Sequence, residues 1–132
     1  MKSIRILAVT AFALFLISGC IKDSGEGGSS TIIGKVYAYD YNAEMTQLRN
    51  QYYAPDEDVY IIYGGDSIFN DRTRTNHDGF FRFEYLRPGT YTIFVYSKNL
   101  ETKLPPNLAI TKQVEITESN QVIVVDDIEI IK

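Results

Sequence analysis

Few side chains in this 132-residue chain are of the types that carry out catalysis, and their spacing narrows the field further. His77 is the only histidine, and it stands in Asn76-His77-Asp78-Gly79, a run that favours a tight turn over a cleft. A histidine base that activates a serine needs a third group to orient it, and the sequence offers none at a recognisable spacing. Gly64-Gly65 follows an apolar run but lacks the lysine and the helix of a phosphate-binding loop. Two acidic clusters, Asp56-Glu57-Asp58 and Asp126-Asp127 with Glu129, carry the oxygen ligands that calcium takes. Calcium needs roughly six to eight of them at a set spacing, which neither cluster has. Both clusters flank strands, where charges mark exposed edges. These residues point to no enzyme, no metal and no cofactor.

Aromatic side chains are the other group with chemistry to offer. Ten Tyr and seven Phe, with no Trp, make up 13% of the chain, more than a small core requires. Tyrosine presents an apolar body with a polar tip, which suits protein interfaces and the faces of sugars alike. It is also a good strand residue, so the elements that hold these rings decide which of them are available.

Those elements begin after a targeting segment. Lys2 and Arg5 precede an uncharged apolar run from Ile6 to Ile17, the build of a secretory signal spanning residues 1–19. The run is shorter than the ~20 residues a membrane-crossing helix needs. The string Leu16-Ile17-Ser18-Gly19-Cys20 resembles the lipobox of bacterial lipoproteins, which implies a lipid on Cys20 and a protein that begins there. As the only cysteine, Cys20 excludes a disulfide within the chain. The polar, glycine-rich stretch that follows, through Ser30, reads as a flexible tether over residues 20–30. The expected address is the cell envelope, at the outer membrane, with either its surface or its periplasmic face open. Loss of Lys2 and Arg5 with the signal takes the net charge from −4 to −6, so nucleic acid is not an expected partner.

Residues 31–132 read as one domain of strands and turns. Segments rich in β-branched and aromatic residues run over Thr31–Tyr41, Val59–Tyr63, Ile68–Thr75, Phe80–Tyr85, Tyr91–Tyr96, Val114–Thr117 and Gln121–Ile131. Only Ala43–Arg49 suggests a turn or two of helix. Seven short strands in about a hundred residues predict an all-β, seven-stranded, two-sheet β-sandwich. Alternation places Ile32, Gly34, Val36, Val59, Ile61, Tyr63, Phe81, Phe83, Leu86, Tyr91, Ile93 and Val95 inward, and a slip by one residue would bury charges. Tyr37, Tyr39, Tyr60, Ile62, Phe94 and Tyr96 then point outward, large apolar groups on a nominally wet face and the candidate binding surface. If the first, second and fifth of these strands share a sheet, the six form one patch; the link around Tyr52 and Tyr53 is the segment that would cover it.

The combination of Gly34-Lys35-Val36, Thr75-Asn76-His77-Asp78-Gly79-Phe80-Phe81-Arg82-Phe83 and Leu86-Arg87-Pro88-Gly89-Thr90-Tyr91 resembles the carboxypeptidase regulatory-like (transthyretin-like) domains. The resemblance covers most of Thr31–Ile131 and implies the sandwich, with Tyr91 plugging one end. Members of that family serve as accessory modules, receptor add-ons and stand-alone lipoproteins. The expectation is therefore a membrane-tethered, non-enzymatic binding or scaffold module that engages an envelope protein. A carbohydrate-binding module, engaging a glycan, is the second reading.

Overall fold

A computed structural model describes residues 23–132; the signal segment and Cys20 lie outside the described residues. Nine strands form the fold: β1 (Glu26–Tyr41), β2 (Leu48–Tyr53), β3 (Asp58–Tyr63), β4 (Asp71–Arg74), β5 (Phe80–Leu86), β6 (Gly89–Ser97), β7 (Leu108–Ile116), β8 (Val122–Val124) and β9 (Ile128–Ile131). One sheet is built on β1, which has β5 and β2 antiparallel along one edge and β8 and β9 parallel along the other. The second sheet runs β4-β3-β6-β7, antiparallel throughout. Ile32, Val36, Val59, Ile61, Phe81, Phe83, Leu86, Tyr91, Ile93 and Val95 meet between the two sheets in a single core, the facing that alternation predicts.

The strand count exceeds the expected seven at two places, each for a local reason. Ala43–Arg49 forms no helix. The Asn42 side chain accepts from the backbone N–H of Thr46 at 2.8 Å and of Gln47 at 3.0 Å, closing a turn from which Leu48–Tyr53 returns along β1. That strand, LRNQYY, is exposed along nearly its whole length, so it has no buried alternation to betray it. The stretch Gln121–Ile131 is two strands, not one. Val125 stands between them, its N–H donating to the Ile33 carbonyl at 2.9 Å and its side chain packed where one at Gly34 would sit, 2.5 Å from an ideal Cβ.

The glycine-rich segment also departs from expectation: strand pairing starts at Glu26, five residues ahead of Thr31. Ser30 is fully buried, and its hydroxyl donates to the Glu118 carbonyl at 2.9 Å. Glycine serves close approach here, since a Cβ at Gly28 would lie 2.1 Å from the Leu86 carbonyl oxygen. Gly28→Ala is expected to cost about 1–3 kcal/mol, the range for forced overpacking. Denaturant titration, with faster amide exchange at Gly25 and Ser30, is the check; unchanged exchange would refute the close approach.

Candidate functional site

The six outward residues expected to share one surface divide between the two outer faces of the sandwich. Tyr37 and Tyr39 lie on β1 in the first sheet, whereas Tyr60 and Ile62 on β3 and Phe94 and Tyr96 on β6 lie in the second. The assumption that fails is the sheet assignment: β1 does not pair with β3 or β6.

On the first face, Tyr37 packs edge-on against Tyr39 at 5.3 Å and Tyr53 at 5.0 Å, and the Lys35 ammonium sits 4.7 Å above the Tyr53 ring. The phenols here are already engaged. Tyr53 donates to Asp127 at 2.9 Å, Tyr39 to Glu129 at 3.0 Å and Tyr37 to Gln51 at 3.3 Å. Donation to a carboxylate favours the protonated phenol, and Tyr39 and Tyr53 are accordingly raised above the usual phenol pKa. The second acidic cluster thus serves as acceptor for this tyrosine row. Tyr52 and Tyr53 belong to this sheet and cover none of the second face.

The second face carries a denser ring cluster. Tyr60 and Phe94, cross-strand partners on β3 and β6, stack at 4.9 Å with their planes 10° apart. Tyr96 meets both edge-on at 5.5 Å, and Phe69, from the loop between β3 and β4, meets Tyr60 at 4.8 Å. Phe94 is sealed beneath its neighbours at 7% exposure, while Tyr96 is 48% exposed. Ile62, half-buried opposite Thr92, lies two pairs further along the sheet and outside the ring cluster. Phe69 stands in a segment expected to be strand; β4 starts only at Asp71, which frees Gly64–Asn70 to fold as a loop with Phe69 on the rings.

Tyr60 and Tyr96 also form one wall of a cleft of about 290 Å³ at the end of the sandwich where β3 begins and β6 ends. Ile130 and Ile131 also line it, and the rest of its lining is polar: Asp56, Glu57, Asp58, Lys98, Asn107 and Lys132. Hydrogen bonds tie its acidic wall to the neighbouring strands. The buried Thr75 hydroxyl donates to the Ala54 carbonyl at 2.6 Å and accepts from the Glu57 N–H at 2.9 Å. Asp58 accepts from Arg74 at 2.9 Å, and Glu57 pairs with Lys132. Burial works against the Lys132 ammonium, but its bond to Glu57 outweighs that and raises its pKa. Among the described residues, the side chains of Asp56, Lys98 and Asn107 have no hydrogen-bond partner, so the cleft keeps an acceptor, a donor and an amide unspent. The first acidic cluster, set aside on sequence for want of calcium spacing, is what lines this cleft.

His77 is exposed in its turn, 3.5 Å from Asp78, and the turn is built by the Asn76 side chain, which accepts from the N–H groups of Asp78 and Phe80. No cluster of three or more His, Cys, Asp or Glu suited to a metal ion occurs among the described residues. Sequence reasoning missed Phe69, Lys98, Asn107 and Lys132. All four come from loops or the residue after the last strand, where no periodicity marks a facing.

No protein-family model and no curated protein matches the sequence. Among solved structures, the chain is similar to a protein of Pseudomonas aeruginosa described as a proposed carbohydrate-binding protein, at 14% identity, over 78% of this chain and 91% of that one, with a TM-score of 0.47.

Proposed function

We propose that this protein is a non-enzymatic saccharide-binding module, tethered to a bacterial cell envelope through lipid on Cys20. One observation carries the reading: Tyr60 and Tyr96 belong at once to the ring cluster and to a polar cleft with unspent hydrogen-bonding groups. A sugar ring has a C–H face that packs on the negative face of an aromatic ring, and hydroxyls around its rim that need donors and acceptors together. Asp56, Lys98 and Asn107 supply both beside Tyr96. The cleft is near the lower limit of small-molecule sites, about 300 Å³, which suits one sugar unit of a longer chain. The motifs around Asp78-Gly79 and Pro88-Gly89 support placing the sandwich with the carboxypeptidase regulatory-like domains.

The scaffold reading uses the same face with a protein partner. Protein interfaces deplete charged residues at their centres, whereas three acids and two lysines line this cleft, which favours the sugar. A glycan array probed with the soluble domain, residues 21–132, is the test. Binding is expected, and Tyr96→Ala is expected to weaken it at least ~30-fold, the scale of a hot-spot truncation of about 2 kcal/mol, with unchanged melting. A blank array, with an envelope protein captured in a Tyr96-dependent way, would overturn the saccharide reading in favour of the scaffold.

A further inference from the structure

The segment that follows the expected anchor is stitched to one end of the sandwich. The Arg87 N–H donates to the Gly25 carbonyl at 2.8 Å, and the Gly25 N–H donates to the buried Tyr91 hydroxyl at 2.8 Å. Further along, the Ser29 hydroxyl accepts from the Asn120 N–H at 3.0 Å. This end gathers the start of β1, the turn at Arg87-Pro88, the turn Thr117–Asn120 and the loop Gly64–Asn70. The cleft lies at the other end, where β3 starts and β6 finishes. The nine residues of β6 separate the two ends by roughly 27 Å at about 3.4 Å per step.

Only Ile21, Lys22 and Asp23 stand between Cys20 and Ser24. Even fully extended, that chain reaches at most about 14 Å, half the length of the sandwich. Two of the most exposed apolar side chains belong to the stitched end: Ile68 in the β3–β4 loop, 73% exposed, and Tyr85 beside Leu86, 70% exposed. Leu86 is the residue that pairs with Glu26 at the start of β1. Asp23, Glu26, Asp66 and Glu118 at the same end outnumber Arg87 there and Lys22 in the preceding sequence, so contact there depends on the acyl chains and these apolar tips.

We infer that the protein stands on the bilayer on this end, with Ile68 and Tyr85 at the lipid interface and the cleft held away from it. The inference rests on the lipid anchor proposed for Cys20. It deepens the functional reading, because a site raised above the headgroups faces a glycan layer in place of lipid.

The chain contains no Trp, so single substitutions make clean reporters. Full-length lipidated protein carrying Ile68→Trp, Tyr85→Trp or Tyr96→Trp, reconstituted in phosphatidylcholine vesicles with and without brominated acyl chains, is the test. In vesicle-bound protein, Ile68→Trp and Tyr85→Trp fluorescence is expected to be quenched several-fold more than that of Tyr96→Trp. Equal or reversed quenching overturns the orientation while leaving the anchor intact. A Trp at 68 shielded from aqueous quencher but untouched by brominated lipid shows a protein partner there and also overturns it. Protein that does not float with the vesicles overturns the anchor, and the orientation with it.

Discussion

Tyr91→Ala is expected to cost about 3–5 kcal/mol, a large share of the ~5–15 kcal/mol that holds a domain of this size together. The ring is 1% exposed and meets Tyr63 edge-on at 5.8 Å. Its hydroxyl accepts from the Gly25 N–H at 2.8 Å and donates to the Arg87 carbonyl at 2.6 Å, so one side chain closes the β5–β6 turn and pins the residue ahead of β1. Tyr91→Phe keeps the ring and separates the two contributions. It strands a buried N–H and a carbonyl, a loss of about 1–3 kcal/mol. Arg82→Ala is the control: its exposed ion pair with Glu84 at 2.9 Å is worth at most about 1 kcal/mol. Chemical denaturation should rank the three in that order. Arg82→Ala as the worst would mean that the facing of β5 is inverted.

The parts of the fold legible in the sequence were those that packing dictates. Phe81 and Phe83 alternate with the exposed Arg82 and Glu84, and a strand with one buried face has a single register that keeps charges out of the core. Strand β2 was not legible because it buries almost nothing; it exists through its ladder with β1, a long-range pairing that composition does not record. The segment from Ser24 to Ser30 has the composition of a flexible linker, yet its glycines let the backbone reach the Leu86 carbonyl, a requirement set by the neighbouring strand. The candidate surface was half legible for the same reason. Alternation tells inward from outward within a strand, and it placed Tyr60 and Phe94 opposite Ile61 and Ile93 correctly. It cannot say which strands share a sheet, so Tyr37 and Tyr39 were joined to a patch that lies across the core from them. The cleft-lining Lys98 and Asn107 come from the connection between β6 and β7, outside any periodic element.

Phe94→Ser is expected to destabilise the domain by about 3–5 kcal/mol even though Phe94 lies on the outer face of its sheet. At 7% exposure, stacked on Tyr60 and edged by Tyr96, it is the centre of a second small core, which Phe69 helps close. Tyr96→Ser removes a ring that is 48% exposed and should cost no more than about 1 kcal/mol. Tyr60→Ser falls between them, because it uncovers the face of Phe94. The two stacked rings share their contact, so the double substitution should cost less than the sum of the singles, with a coupling of about 0.5–1.5 kcal/mol. A cycle of thermal or denaturant unfolding on the four proteins measures it. Additive losses would mean that the stacking contributes nothing and that Phe94 is held by the sheet alone. The ordering matters for the site: Phe94 supports the rings from below and reaches no ligand. Loss of saccharide binding in Phe94→Ser would therefore follow loss of the platform, whereas loss in Tyr96→Ser at unchanged stability reports the contact itself.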